Sequence, residues 1–249
     1  MWMEGSTSGV YRMWFQHMDI NRIPFYQYNT IIVGTGAAGL NAAVTLHKLG
    51  QKNIALITEG RYMGTSRNTG SDKQTYYKMT QCGSEPDSVR KMAKTLFEGG
   101  CVDGDIAMAE AAGSLRAFYH LVDIGVPFPF NKSGEYVGYK TDHDPLKRGI
   151  SAGPLTSKYM TECLERQAEE RGIPFFDGYQ AVRLLTEEKD GEKRAAGIIA
   201  LNKQKAASPD ERYAVFSAVN IIWATGGEAG MYQASVYPVS QTGGMPVKS

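Results

Sequence analysis

Residues 30–39 read Thr30-Ile31-Ile32-Val33-Gly34-Thr35-Gly36-Ala37-Ala38-Gly39, a short apolar run that breaks into glycine. A run that is continuous rather than alternating marks a parallel strand buried on both faces, so a strand is expected at Thr30–Val33. Ala37–Leu49 follows, made of good helix formers, with Leu40, Val44 and His47 or Lys48 near one stripe and Gly50 as the stop. A helix of this length rises through about 20 Å. That returns the chain beside the strand, and Asn53–Thr58 can then pair parallel to it as a βαβ unit. The glycines sit where such a unit needs them to meet a dinucleotide. Gly34 makes the tight turn, Gly36 admits a pyrophosphate to the backbone, and Gly39 lets the helix pack closely. Glu59, 20 residues beyond Gly39 at the end of the second strand, is placed to accept from ribose hydroxyls.

Outward from this unit the pattern departs from a plain nicotinamide-binding domain, in which further strand and helix units would follow at short intervals. Gly64–Gly83 is rich in Thr, Ser, Asn and Gly and reads as a long ordered loop. Pro86–Gly99 and Asp105–Leu121 read as two helices forming an excursion, and Leu155–Arg171 as a third long helix closed by Gly172 and Pro174. Gln180–Thr186, Ala196–Leu201 and Tyr213–Ser217 read as strands separated by charged turns, an antiparallel meander. Val219–Ala224 is again continuously apolar and ends in Thr225-Gly226-Gly227, which marks a return to the buried sheet.

Taken together, IIVGTGAAGLNAA, LITEG and IIWATGG resemble the flavoprotein family of fumarate reductase, the succinate dehydrogenase flavoprotein subunit and aspartate oxidase, from about Tyr28 to Thr242. The resemblance implies an α/β fold, a glutathione-reductase-like Rossmann-type FAD-binding domain with a parallel sheet, a helical excursion and an antiparallel β meander. It implies FAD as cofactor, with Gly34, Gly36, Ala37, Ala38 and Gly39 at the pyrophosphate and Glu59 and Gly60 at the adenosine ribose. Ala181 is expected to bond adenine through its backbone. Gly64, Thr65, Ser66, Asn68, Thr69 and Gly70 are expected near the flavin and phosphates, and Ala224, Thr225 and Gly226 near the ribityl and flavin. The loop Ser66-Arg67-Asn68-Thr69 lacks the histidine that some members use for covalent attachment, so noncovalent FAD is expected. The resemblance further implies flavin-dependent hydride transfer to or from a small substrate such as a dicarboxylate. The capping domain and final segment of the family are absent from residues 1–249. This portion alone is therefore expected to be inactive, to self-associate or to need a complementary chain, and no catalytic residue is assigned. A noncatalytic nucleotide-binding remnant, or one subunit of a split flavoprotein, is the alternative.

Composition narrows the partners. Lys and Arg number 27 against 26 Asp and Glu, which gives no net field toward nucleic acid. The apolar runs are far shorter than the roughly 20 residues of a membrane helix. Cys82, Cys101 and Cys163 are odd in number and widely spaced, which suits reduced thiols in a cytoplasmic protein and no metal site. Residues 1–27 read as an extension before a domain over residues 28–249. Asp142-His143-Asp144 reads as a loop cap, since adjacent side chains seldom converge. Arg148 and His143 are the first candidates if residues 1–249 contain a catalytic site. Tyr76, Tyr77, Tyr136 and Tyr139 read as core aromatics.

Overall fold

The computed structural model describes residues 23–71, 74–83, 85–142, 144, 146–227, 230 and 232–241. The chain divides into two units, one drawn from residues 1–68 and 165–249 and the other from 69–164. Most of the N-terminal extension, His143 and the final residues from Thr242 onward lie outside the described residues.

In the first unit, β1 (Phe25–Val33) leads through the glycine turn into α1 (Ala37–Lys48) and back to β2 (Ile54–Thr58). β1 pairs parallel with β2, Thr30 opposite Ile54 and Val33 opposite Ile57. The strand begins at Phe25, earlier than the apolar run suggested. The reason is its other neighbour, β8 (Tyr213–Trp223), which runs parallel to it from Phe25 opposite Val215 to Val33 opposite Trp223. β8 is thus one strand where the sequence pattern suggested two. Its first half also pairs antiparallel with β7 (Glu192–Asn202), which in turn pairs antiparallel with β6 (Tyr179–Lys189). A short strand missed in the sequence, β5 (Phe175–Asp177), pairs parallel with β2. The sheet order is β5-β2-β1-β8-β7-β6.

The two faces of this sheet bury different sets of side chains, as alternation along a strand requires. Ile31, Val33, Ala55 and Ile57 pack with Ile198, Ala200, Ala214, Phe216 and Ala218 from the meander. Tyr26, Phe176 and Phe216 meet there within 4.7–5.0 Å between ring centroids. Ile32, Ile54 and Leu56 point the other way and are also buried, and α1 contributes buried Leu40, Ala43 and Val44. A strand covered on both faces has no room for alternating polar residues, which is why β1 and β2 read as continuous apolar runs.

The second unit carries α3 (Val89–Glu98), α4 (Gly104–Asp123) and a small antiparallel pair, β3 (Tyr76–Tyr77) with β4 (Gly149–Ile150). The helices start where their caps dictate. Ser88 accepts from the Lys91 amide, and Asp103 accepts from the amides of Asp105 and Ile106. Met92, Ala93, Ala107 and Ala111 form the seam between them. Its polar core is Arg148, 1% exposed, which donates to both oxygens of Asp87 and to Asp144, Tyr77 and Thr95. Asp144 also accepts from the Leu146 amide at 2.8 Å, the loop-capping role read from sequence. Tyr76 packs against Phe118 and Phe128, as a core aromatic. The helix α5 (Thr156–Glu170) carries the chain from this unit back into the first.

Candidate cofactor site

The glycine turn is made possible by two close approaches. Gly34 has φ +109°, and a Cβ there would lie 2.3 Å from the Ala224 carbonyl oxygen. A Cβ on Gly39 would lie 2.0 Å from the Gly34 carbonyl oxygen. The two glycines therefore let β1, β8 and α1 converge more tightly than any side chain permits. Backbone bonds hold the junction, Gly34 N donating to Ile57 O and Ala224 N to Val33 O, both at 2.8 Å. The Thr35 hydroxyl donates to that of buried Thr58 at 3.0 Å, tying the turn to the end of β2.

The helix that starts there has no side-chain cap and no acidic residue in its first turn. Its N-terminal amides and its dipole are left available for an anion. One of those amides, Ala37 N, donates to Ser66 Oγ at 3.2 Å. Ser66 lies on α2 (Thr65–Asn68), a turn of helix inside the segment read from sequence as an ordered loop. Asn68 donates to the carbonyls of Tyr62 and Gly64, at 2.7 and 3.1 Å. Glu165 on α5 receives both Arg61, at 2.5 Å, and Arg67, and the Arg61 guanidinium lies 4.1 Å from the Phe175 ring centroid. These bonds give the segment after β2 a fixed course past the helix N-terminus.

Between the glycine turn, this segment, the start of β6 and the end of β8 lies a cleft of about 790 Å³. That is within the usual range for cofactor sites, roughly 300–1,000 Å³. Of the residues expected from sequence, Gly34, Gly36, Ala37, Ala38, Glu59, Gly60, Gly64, Thr65, Ser66, Ala181, Ala224, Thr225 and Gly226 line it. Gly39 lies buried behind the turn, in the packing role just described. Asn68 does not line the cleft and braces its own turn instead, while Thr69 and Gly70 belong to the other unit. Sequence reasoning missed Trp223, Gln241, Met63 and Tyr179, which also line it. For Trp223 a signal existed, since its place beside the A-T-G-G turn puts it opposite Val33. Nothing local marks Gln241.

Three polar atoms of the lining test whether a polar ligand fits. Thr65 Oγ1, Trp223 Nε1 and Gln241 Oε1, on residues of the lining, are buried and have no hydrogen-bond partner among the described residues. Groups buried in this way are costly unless something bonds them. Glu59 follows β2 directly and lines the cleft, with Oε1 2.8 Å from Lys203 Nζ.

A helix N-terminus framed by glycines at the carboxyl ends of parallel strands, with an acid on the next strand, defines a dinucleotide-binding domain. The antiparallel meander inserted before the last parallel strand distinguishes it from a plain nicotinamide-binding fold. The chain belongs to the FAD binding domain family, whose description matches residues 29–246, and FAD is its cofactor. L-aspartate oxidase of Agrobacterium fabrum is 27% identical over 86% of this chain and 38% of its own length. The 8-methylmenaquinol:fumarate reductase flavoprotein subunit of Wolinella succinogenes is 27% identical over 89% of this chain and 35% of its own. A variant of E. coli quinol fumarate reductase FrdA superposes with a TM-score of 0.71 at 20% identity, over 85% of this chain and 34% of that one. The chain thus spans little more than a third of these proteins. The structural likeness carries the fold.

Proposed function

We propose that the cleft holds FAD by its ADP half at the α1 N-terminus, with the pyrophosphate on the amides of the glycine turn and the ribose on Glu59. The observation that carries this reading is the glycine turn at the N-terminus of α1, without a side-chain cap, on the lining of a cleft of about 790 Å³ that Glu59 also lines. Gly36 lets phosphate oxygens approach the backbone, and Ser66 shares the first helical amide with the ligand. The Ala181 backbone stands at the adenine end. Replacing Glu59 with glutamine keeps the shape and removes the charge. A charged hydrogen bond is worth about 1.5–3 kcal/mol, so FAD affinity falls tenfold or more. Titration of flavin fluorescence measures this, and an unchanged dissociation constant removes Glu59 from the ribose site. Binding is reversible, and acid denaturation leaves the flavin in the supernatant.

For the whole protein we infer a flavin-dependent oxidoreductase acting on a small substrate of the dicarboxylate kind, in line with the activities named for its relatives. When bound, the flavin supplies hydride exchange at N5. The residues described here position and bury it. Among the described residues that line the cleft, none is Arg, Lys or His, so the described lining offers no cation to clamp a substrate carboxylate beside the cofactor. Arg148, a sequence candidate for that task, is instead committed to Asp87 and Asp144 inside the second unit. The expected result is that residues 1–249 bind FAD without turning over fumarate. Dye-linked fumarate reduction, with a full-length relative as control, tests it, and turnover near that of the control refutes it.

A further inference from the structure

Glu59 is held by a residue that no local pattern connects to it. Lys203 opens a single 3₁₀ turn, Lys203–Lys205, directly after β7. Its Nζ donates to Glu59 Oε1 at 2.8 Å across 144 residues of sequence. A chance surface pair is held by its two side chains alone, whereas here the backbone of Lys203 is fixed from both sides. Its amide donates to the Gly178 carbonyl at 2.8 Å. Asn202 before it accepts from Gln204 N and donates to the Tyr179 hydroxyl, each at 3.1 Å. Tyr179 itself lines the cleft. The turn that carries Lys203 is therefore pinned to the same β5–β6 corner that forms the adenine end of the site. Glu59 Oε2 has no hydrogen bond from any described residue.

We propose that Lys203 is a positioning residue for the adenosine ribose: its ammonium fixes the Glu59 carboxylate through Oε1 and leaves Oε2 to accept from the ribose 2′-hydroxyl. This rests on the assignment of Glu59 to the ribose. Glu59 stands at a strand end with its side chain 36% exposed, and such a side chain samples several rotamers unless something fixes it. Fixing it before the ligand arrives removes an ordering cost from binding.

The test compares dissociation constants for FAD, and for FAD carrying 2′-deoxyadenosine, in the wild-type chain, Lys203→Met, Lys203→Arg, Glu59→Gln and the Lys203→Met/Glu59→Gln pair. Methionine keeps an apolar stem of similar length and removes the charge, and since the pair is surface-exposed the variant still folds. Lys203→Met is expected to weaken FAD about fivefold, the scale of one ordered side chain and one exposed ion pair. Lys203→Arg stays within about twofold of wild type, or weakens binding by less than Lys203→Met, since it keeps the charge. In the Glu59→Gln background, and toward the 2′-deoxy analogue, Lys203→Met adds less than about twofold, because the effect runs through the carboxylate and the hydroxyl. Affinity of Lys203→Met equal to wild type overturns the proposal, as does a fivefold loss that persists without Glu59 or without the hydroxyl. A wild-type chain that binds no FAD fails the ribose assignment as well, whereas loss of the Lys203 effect alone leaves that assignment standing.

Discussion

Replacing Arg148 with methionine should destabilise the folded second unit by about 3–5 kcal/mol, the cost of breaking a buried ion pair from one side. The guanidinium is 1% exposed, and Asp87 is buried to the same degree. Arg148 Nε and Nη2 take the two oxygens of Asp87 at 2.9 and 2.7 Å, and Nη1 reaches Thr95 at 2.9 Å, Tyr77 at 3.1 Å and Asp144 at 3.2 Å. Truncation leaves two carboxylates in the interior without a counter-charge. Lysine should rescue little of the loss, because a single ammonium cannot span the fork that Asp87 closes. Acid separates this account from a mere loss of packing. Burial pushes Asp87 up, but its hydrogen bonds from Arg148 and from the amides of Thr80 and Ser88 outweigh that and hold it below the ordinary carboxylate value. A depressed carboxylate contributes stability that is present above its unfolded value of about 3.9 and lost as the pH falls through the folded one. In the variant the uncompensated Asp87 carboxylate favours the protonated form instead. The gap between wild type and Arg148→Met in urea unfolding should therefore narrow from pH 7 to pH 3, and a gap that stays constant would show that charge is not the cause.

Gly34→Ala should be nearly as damaging, and should remove FAD binding with it. The backbone there has φ +109°, a region that costs a side-chain-bearing residue about 1–3 kcal/mol. The added methyl would also lie 2.3 Å from the Ala224 carbonyl oxygen and 2.8 Å from its carbon, both backbone atoms of the residue that follows β8. Relieving that contact means separating β1 from β8 where Ala224 N donates to Val33 O, and overpacking of this kind costs about a further 1–3 kcal/mol. The total is about 2–6 kcal/mol, and the distortion falls on the turn that presents amides to the pyrophosphate. Denaturant unfolding and flavin titration on the same preparation measure both effects. Unchanged stability together with unchanged affinity would mean that the turn can open without consequence.

The parts of the molecule that local backbone chemistry controls were readable from the amino acids. Gly34 and Gly39 announce a turn and a packing contact because only glycine tolerates each, and Gly36 stands between them where a buried strand meets a helix. The A-T-G-G ending of β8 was readable for the same reason, as was Glu59 through its fixed distance along a βαβ unit. The meander was legible from its charged segments Glu187–Arg194 and Lys203–Glu211, although β6 and β7 run on through most of the first and leave only Asp190 and Gly191 as its turn. What pairing over long distances controls was not readable. The unity of β8 was hidden because Ser217 and Asn220 interrupt its apolar residues, and only its partner β1, running along both halves, makes it one strand. Phe175–Asp177 is too short to carry a period and is a strand only because β2 has a free edge beside it. Arg148 looked like a candidate for chemistry until the fold surrounded it with Asp87, Asp144 and Tyr77, up to 71 residues away. Trp223 and Gln241 line the cleft, and Lys203 reaches Glu59 from just beyond the end of β7. Burial and long-range contact exist only once the chain has closed on itself, so these assignments belong to the tertiary structure.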